Sequence, residues 1–170
     1  MAWLARGDRI LGLFCQPVSR MASFVAMDTA TDKPALPSAI LETCLSVSDL
    51  ARSQEFYTGL FDYPVMKSDD RFCAFNINNR QVLILFRRGS DPHGTTLLFG
   101  FIPSHGSNGQ SHIGFSIPPA SLSEWRARLA QRGIPEESSF AWPGGGISIY
   151  FRDPDGHLLE LLTPGVWPMW

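Results

Sequence analysis

Glu160 is a lone carboxylate inside the apolar run HLLELL at 157–162. Residues two apart on a strand share a face, so Leu158, Glu160 and Leu162 look one way while Leu159 and Leu161 look the other. An acid flanked by leucines on both faces needs a partner, because burying a carboxylate unpaired is costly. From this segment alone, a solvent-facing edge position and a plain ion pair are the alternatives. Two further residues of coordinating type stand in strand-like runs elsewhere, Glu42 in ILETCLSV and His112 in HIGFSI. Whether the three can act together depends on the elements that carry them.

The last run is one arm of a hairpin. Asp153-Pro154-Asp155-Gly156 joins GISIYF to HLLELL, with Pro presetting φ, Asp capping through its side chain and Gly supplying a positive φ. Upstream, ILETCLSV predicts a strand, Asp49 an N-cap, and the spacing of Leu50, Ser53, Phe56, Tyr57 and Leu60 a helix. After Tyr63-Pro64, RFCAFNI and QVLILF flank a turn at Asn78-Asn79 and predict a second hairpin. From His112 the order recurs: strand HIGFSI, a break at Pro118-Pro119, a helix over SLSEWRARLAQRG ending at Gly133, then the DPDG hairpin. Matching order and length of elements mark a duplicated module. The connector Gly89–Ser111 carries its own apolar run, TLLFGFI, suited to a wall or lid.

Parity then sorts the leading strands. Ile113, Phe115 and Ile117 cover one helix and Thr43, Leu45 and Val47 the other, which puts His112 and Glu42 at equivalent positions on the non-helix faces. Ile84 of QVLILF is the counterpart of Glu160. In GISIYF the helix-facing row is Ile147, Ile149 and Phe151, leaving Ser148 and Tyr150 on the face of Glu160.

Composition bounds the partners. The chain has 170 residues, 44% hydrophobic and 18% charged, with a formal net charge of −2 and a pI near 6.0. These values suit a globular protein acting on a small molecule, and they lack the basic footprint of a nucleic-acid or anionic-membrane binder. No apolar run is long enough to span a bilayer. Cys15, Cys44 and Cys73 are odd in number and lack CxxC spacing, which argues against disulfides and structural zinc and for a cytoplasmic location. Residues 1–38 read as a peripheral extension and linker; the short run Ile10–Cys15 with Arg6, Arg9 and Arg20 lacks the length and cleavage site of a targeting peptide.

ETCLSVSDLARSQEFYTGLF, followed by HIGFSI and YFRDPDGHLLEL, resembles the vicinal oxygen chelate superfamily of glyoxalase I, fosfomycin resistance enzymes, extradiol dioxygenases and bleomycin-binding proteins. The resemblance implies an α+β fold over residues 39–165, with paired βαβββ modules (39–89 and 111–165) forming a curled, barrel-like mixed sheet, helices outside, and an apolar tail at 166–170. It implies a metal centre made of Glu42, His112 and Glu160, with Mn, Mg, Ni or Zn as the divalent ion; one His with two carboxylates disfavours Fe(II) and extradiol dioxygenase chemistry. Ile84 stands where glyoxalase I has a fourth ligand. The implied function is a lyase, isomerase or transferase in which the ion chelates vicinal oxygens of a small substrate and stabilises an oxyanion or enolate. Tyr150 and Ser148 match positions used in fosfomycin enzymes, and His105 on the connector is placed to contact substrate or act as a base. Arg71, Arg80, Arg87 and Arg88 are candidates for an anionic substrate group. The alternative is a metal-free binder with an aromatic crevice drawn from Trp125, Trp142, Tyr150, Trp167 and Trp170. A homodimer is expected, given members of this size and two tryptophans in the tail LLTPGVWPMW.

Overall fold

A computed structural model describes residues 36–169. The run Ile10–Cys15, Cys15 itself and Trp170 lie outside the described residues.

The first module consists of β1 (Glu42–Val47), α1 (Leu50–Phe61), β2 (Val65–Ser68), β3 (Phe72–Ile77) and β4 (Gln81–Arg87). A connector follows with a two-stranded hairpin, β5 (Thr95–Leu97) and β6 (Gly100–Ile102). The second module is β7 (His112–Ser116), α2 (Leu122–Gln131), β8 (Ser138–Ala141), β9 (Ile147–Arg152) and β10 (Leu158–Leu162). Each module makes a four-stranded mixed sheet of the same pattern, β1-β4-β3-β2 and β7-β10-β9-β8. In both, the first strand runs parallel to the last and every other pairing is antiparallel. The short outer strands β2 and β8, implied only by the family resemblance, carry weak apolar patterns because they lie at sheet edges.

Local sequence accounts for the joints. Asp49 caps α1 by accepting from the Arg52 N–H, satisfying one of the orphan donors of the first turn. Asn78 and Asn79 adopt positive φ of 51° and 55° between β3 and β4, as a two-residue hairpin turn requires. Helix-facing residues of both sheets share one core: Tyr57, Phe61, Phe75, Phe115, Ile149 and Leu161 belong to a single buried cluster. Phe61 and Phe115 meet across the modules with ring centres 4.7 Å apart. The parity reading holds for Leu45 and Val47, which are buried. Thr43 is exposed, since none of the described residues covers that end of β1.

The DPDG turn fastens the modules. Asp153 accepts from the backbone N–H groups of Asp155 and His157 and, 96 residues away in sequence, from the Tyr57 hydroxyl at 3.0 Å. Asp155 accepts from Ser48 N–H at 2.8 Å and from the Ser53 hydroxyl, with Arg52 and Arg88 each 3.7 Å away. His157, 1% exposed, accepts from Ser111 N–H through Nδ1. Its Nε2–H therefore donates to the Ser46 carbonyl at 3.1 Å. No helix among the described residues is long and apolar enough to cross a membrane.

Burial acts on the Asp155 carboxyl in the raising direction, but hydrogen bonds from Ser48 and Ser53 and the charge of Arg52 outweigh it, so the pKa is lowered. A folded-state pKa below the unfolded value of about 3.9 contributes stability that is fully present above that value and lost as pH falls through the folded one. Asp155→Asn is therefore expected to lose about 1–3 kcal/mol at neutral pH and to show a shallower further loss as pH falls below about 4. Urea denaturation across that range measures both effects, and identical acid slopes for the two proteins would contradict the assignment.

Candidate metal centre

Strand register makes the duplication quantitative. Glu42 pairs with Val82 and Cys44 with Ile84; His112 pairs with Leu158 and Gly114 with Glu160. Thus Glu42 corresponds to His112, Ile84 to Glu160 and Cys44 to Gly114. Antiparallel partners extend the row, with Ala74 opposite Ile84 and Tyr150 opposite Glu160. Gly114 borders both Glu160 and Leu162: a Cβ added there would lie in ordinary contact with Glu160 Oε2 at 3.5 Å and tightly against Leu162 Cδ2 at 3.0 Å.

In the second module His112 and Glu160 meet. His112 Nε2 lies 3.1 Å from Glu160 Oε2, and Nδ1 lies 3.2 Å from the Leu158 carbonyl. A carbonyl only accepts, so the contact to Leu158 is a hydrogen bond when Nδ1 carries a proton, and Nε2 then faces the carboxylate oxygen. With Nδ1 as a donor to Leu158, the contact between Nε2 and Glu160 is completed by a proton shared between them or by a metal ion. A ring nitrogen oriented by a backbone carbonyl through its other N–H is the arrangement typical of metal-binding histidines. Glu160 is 6% exposed, whereas the His112 side chain is 48% exposed, so the pair opens to the concave side.

Tyr150 stands opposite Glu160 in register, its ring 6.3 Å from the His112 ring. Burial raises its phenol pKa first; the Ser148 hydroxyl works against that, and the Glu160 carboxylate adds to it. It therefore remains a protonated donor at neutral pH. Ser148 is fully buried and accepts from the Trp142 indole N–H at 2.8 Å.

Glu42 lies on the other sheet. It lines a cavity of about 670 Å³ over the concave face of the first module, together with Cys44, Ile84 and Phe86. The connector hairpin closes one side of this cavity with Thr95, Leu97 and Ile102, so TLLFGFI forms a wall. His105 lines the same space, edge-on to Phe86 at 4.2 Å between ring centres and 3.9 Å from Asp91 Oδ2. A more polar recess of about 370 Å³ nearby, under Arg88 and Gly89, contains His105 but none of the three expected ligands. Among the described residues, no group of three His, Cys, Asp or Glu side chains is brought together for a metal ion. The sheets of one chain are separate, and β1 and β7 are not hydrogen-bonded to each other; the structure thus unites His112 with Glu160 and keeps Glu42 apart.

The remaining expectations sort by contact. The aromatic crevice loses Trp125, which packs against Phe61 at 5.6 Å and borders the core. Arg88 is taken by Asp155 and the Ser46 carbonyl, and Arg87 faces Asp70. Only Arg71 of the four arginines lines the cavity beside Glu42. Lys67 lines it too, and sequence reasoning missed it because β2 shows no clear alternation.

Paired four-stranded modules with ligand-type residues on their concave faces define a protein class. The chain belongs to the Glyoxalase/Bleomycin resistance protein/Dioxygenase superfamily, whose family model matches residues 39–161. Among individual proteins, it is 32% identical over 123 residues to metallothiol transferase FosB of Bacillus licheniformis, covering 72% of this chain and 73% of that one. The structure of lactoylglutathione lyase from Agrobacterium tumefaciens is similar at TM-score 0.71 and 32% identity, covering 78% of this chain and 98% of that one. The fosfomycin resistance protein FosX from Listeria monocytogenes, 23% identical, shares the fold at TM-score 0.58 over 77% of this chain and 97% of that one.

A buried carboxylate kept for binding rather than stability has a measurable signature, because replacing buried ionic groups with apolar ones is often neutral or stabilising by about 1–4 kcal/mol. In the presence of chelator, Glu160→Leu is expected to melt at or above the temperature of the unsubstituted protein, in keeping with its leucine neighbours. A fall of several degrees in a thermal melt would identify Glu160 as a structural ion-pair partner instead.

Proposed function

We propose that this protein is a metal-dependent enzyme acting on a small molecule with vicinal oxygens, in a glyoxalase-like isomerisation or lyase step or a fosfomycin-type addition. The observation that carries this reading is the convergence of His112 Nε2 and Glu160 Oε2 at 3.1 Å, with Nδ1 3.2 Å from the Leu158 carbonyl. His112, Glu160 and Glu42 would hold the ion. One imidazole and two carboxylates suit Mn(II), Mg(II), Ni(II) or Zn(II). The bound ion supplies Lewis acidity for an enolate or oxyanion.

The chain's own groups divide the remaining work. Tyr150 donates a hydrogen bond toward the developing negative charge, and buried Ser148 holds its orientation. His105 accepts or returns a proton at an imidazole nitrogen on the wall of the Glu42 cavity. The β5–β6 hairpin excludes water from one side.

Glu42 reaches the other two ligands when two copies associate, so that the first module of one protomer faces the second module of its partner. Supporting this homodimer, the turn at the tip of the hairpin leaves Leu98 89% and Phe99 97% exposed, and Trp167 and Met169 are also exposed, apolar surface suited to a partner. Unbridged Cys44 and Cys73 agree with a reducing, cytoplasmic setting.

The site and the dimer are tested together by metal content. Glu42→Ala and Glu160→Ala should each purify with little Mn(II) or Zn(II). Co-expressing the two variants at equal levels and assuming random pairing, half the dimers are mixed and each carries one intact site of two, so metal per protomer should recover to about a quarter of the parental value. Elemental analysis with no recovery on mixing would place all ligands within one chain or remove Glu42 from the set. Unchanged metal content in both single variants would overturn the metal reading.

A further inference from the structure

We infer that Lys67 and Arg71 form an anion-binding end of the cavity beside Glu42, making the preferred substrate an elongated organic anion with a carboxylate, phosphonate or phosphate remote from its vicinal oxygens. The inference deepens the proposed function and rests on it for the oxygen-bearing end only.

Register fixes the layout. Lys67 pairs with Ala74, Ala74 with Ile84 and Ile84 with Cys44, so Lys67 lies on the same lateral row as the neighbour of Glu42, three strands away. Three spacings amount to about 14 Å between the outermost backbones. Between them the floor is apolar, formed by Ile84, Phe72 and Phe86. The Lys67 ammonium rests 5.5 Å above the centre of the Phe72 ring, which turns it inward along the sheet. Among the described residues, Lys67 has no carboxylate within ion-pair distance. A cation on an aromatic face with no counter-ion is a ready acceptor for a ligand anion.

Arg71 is braced for the same task. One Nη donates to Thr95 Oγ1 at 3.3 Å and the other approaches Asp69 Oδ2 at 3.4 Å, leaving further N–H donors of the planar fork free for a ligand. Thr95 belongs to the hairpin wall, so this bond also ties the wall to the cationic end of the cavity. Glu42 lines the same cavity three strands from Lys67, and a basic end set apart from an acidic group orients a substrate of mixed polarity in a single direction. A volume of about 670 Å³ is within the range of sites for drug-sized molecules.

The test uses the whole protein in chelator, so that the metal plays no part in the readout. 4-Phenylbutyrate and its neutral analogue 4-phenylbutan-1-ol are titrated by calorimetry or by ligand-observed NMR. The carboxylate is expected to bind about tenfold more tightly than the alcohol, and more weakly as salt rises. Lys67→Gln and Arg71→Gln should each weaken carboxylate binding by about tenfold and leave alcohol binding unchanged. Lys67→Arg should retain carboxylate affinity, and Arg80→Gln, outside the cavity, should have no effect. Equal affinity for the two probes, no saturable carboxylate binding at millimolar concentration, or a carboxylate affinity indifferent to both Gln variants overturns the inference. Metal content of the Gln variants, expected to equal that of the parent, separates a failure here from a failure of the metal reading.

Discussion

The turn Asp153–His157 is the constraint on which the arrangement depends. It is a local device, made rigid by Asp153 accepting from two backbone amides of its own loop. Among the described residues it is also the longest-range joint, because Tyr57, Ser48, Ser53 and the Ser46 carbonyl all bond to it from the first module. The beginning of β10 is thereby fixed against the end of β1 and the start of α1. Glu160 follows His157 by three residues, so its position inherits that rigidity. A buried, fully bonded polar joint of this kind tolerates little displacement, since each lost partner would leave a desolvated group unsatisfied.

The same joint divides the chain's two concave faces. With helix-facing residues committed to one core, the modules lie side by side and their open faces remain separate. One face bears the His112–Glu160 pair with Tyr150; the other bears Glu42, Cys44 and the walled cavity with Lys67, Arg71 and His105. Each face carries part of the proposed site. The duplicated module has also been differentiated: where the second has His, Gly, Glu and Tyr, the corresponding positions of the first have Glu42, Cys44, Ile84 and Ala74. Coordination is concentrated on one module and space on the other.

Much of the fold was legible because its signals are local. The Asp49 cap, the Asn78-Asn79 turn, the DPDG turn and the alternation in HIGFSI, GISIYF and HLLELL each arise from interactions within a few residues. The edge strands β2 and β8 were not legible from pattern: both are exposed along their length and carry no alternation. The hairpin inside the connector was legible only as an apolar run, because its strands are three residues each. The candidate arginines illustrate a further limit. Four looked alike in sequence, and only their contacts separated Arg71 in the cavity from Arg88, which is taken by Asp155.

The sequence by itself determined which side of each strand Glu42, His112, Glu160, Ser148 and Tyr150 occupy, because a period of two leaves only two faces and the buried residues claim one of them. Tertiary structure alone decided which of these groups meet. It put His112 and Glu160 at 3.1 Å, buried Ser148 beneath Trp142 and left Glu42 on a separate sheet, in one cavity with the more distant Lys67. Facing is set by neighbours along the chain, whereas meeting depends on how sheets are fastened by contacts some hundred residues apart, and no local pattern encodes those.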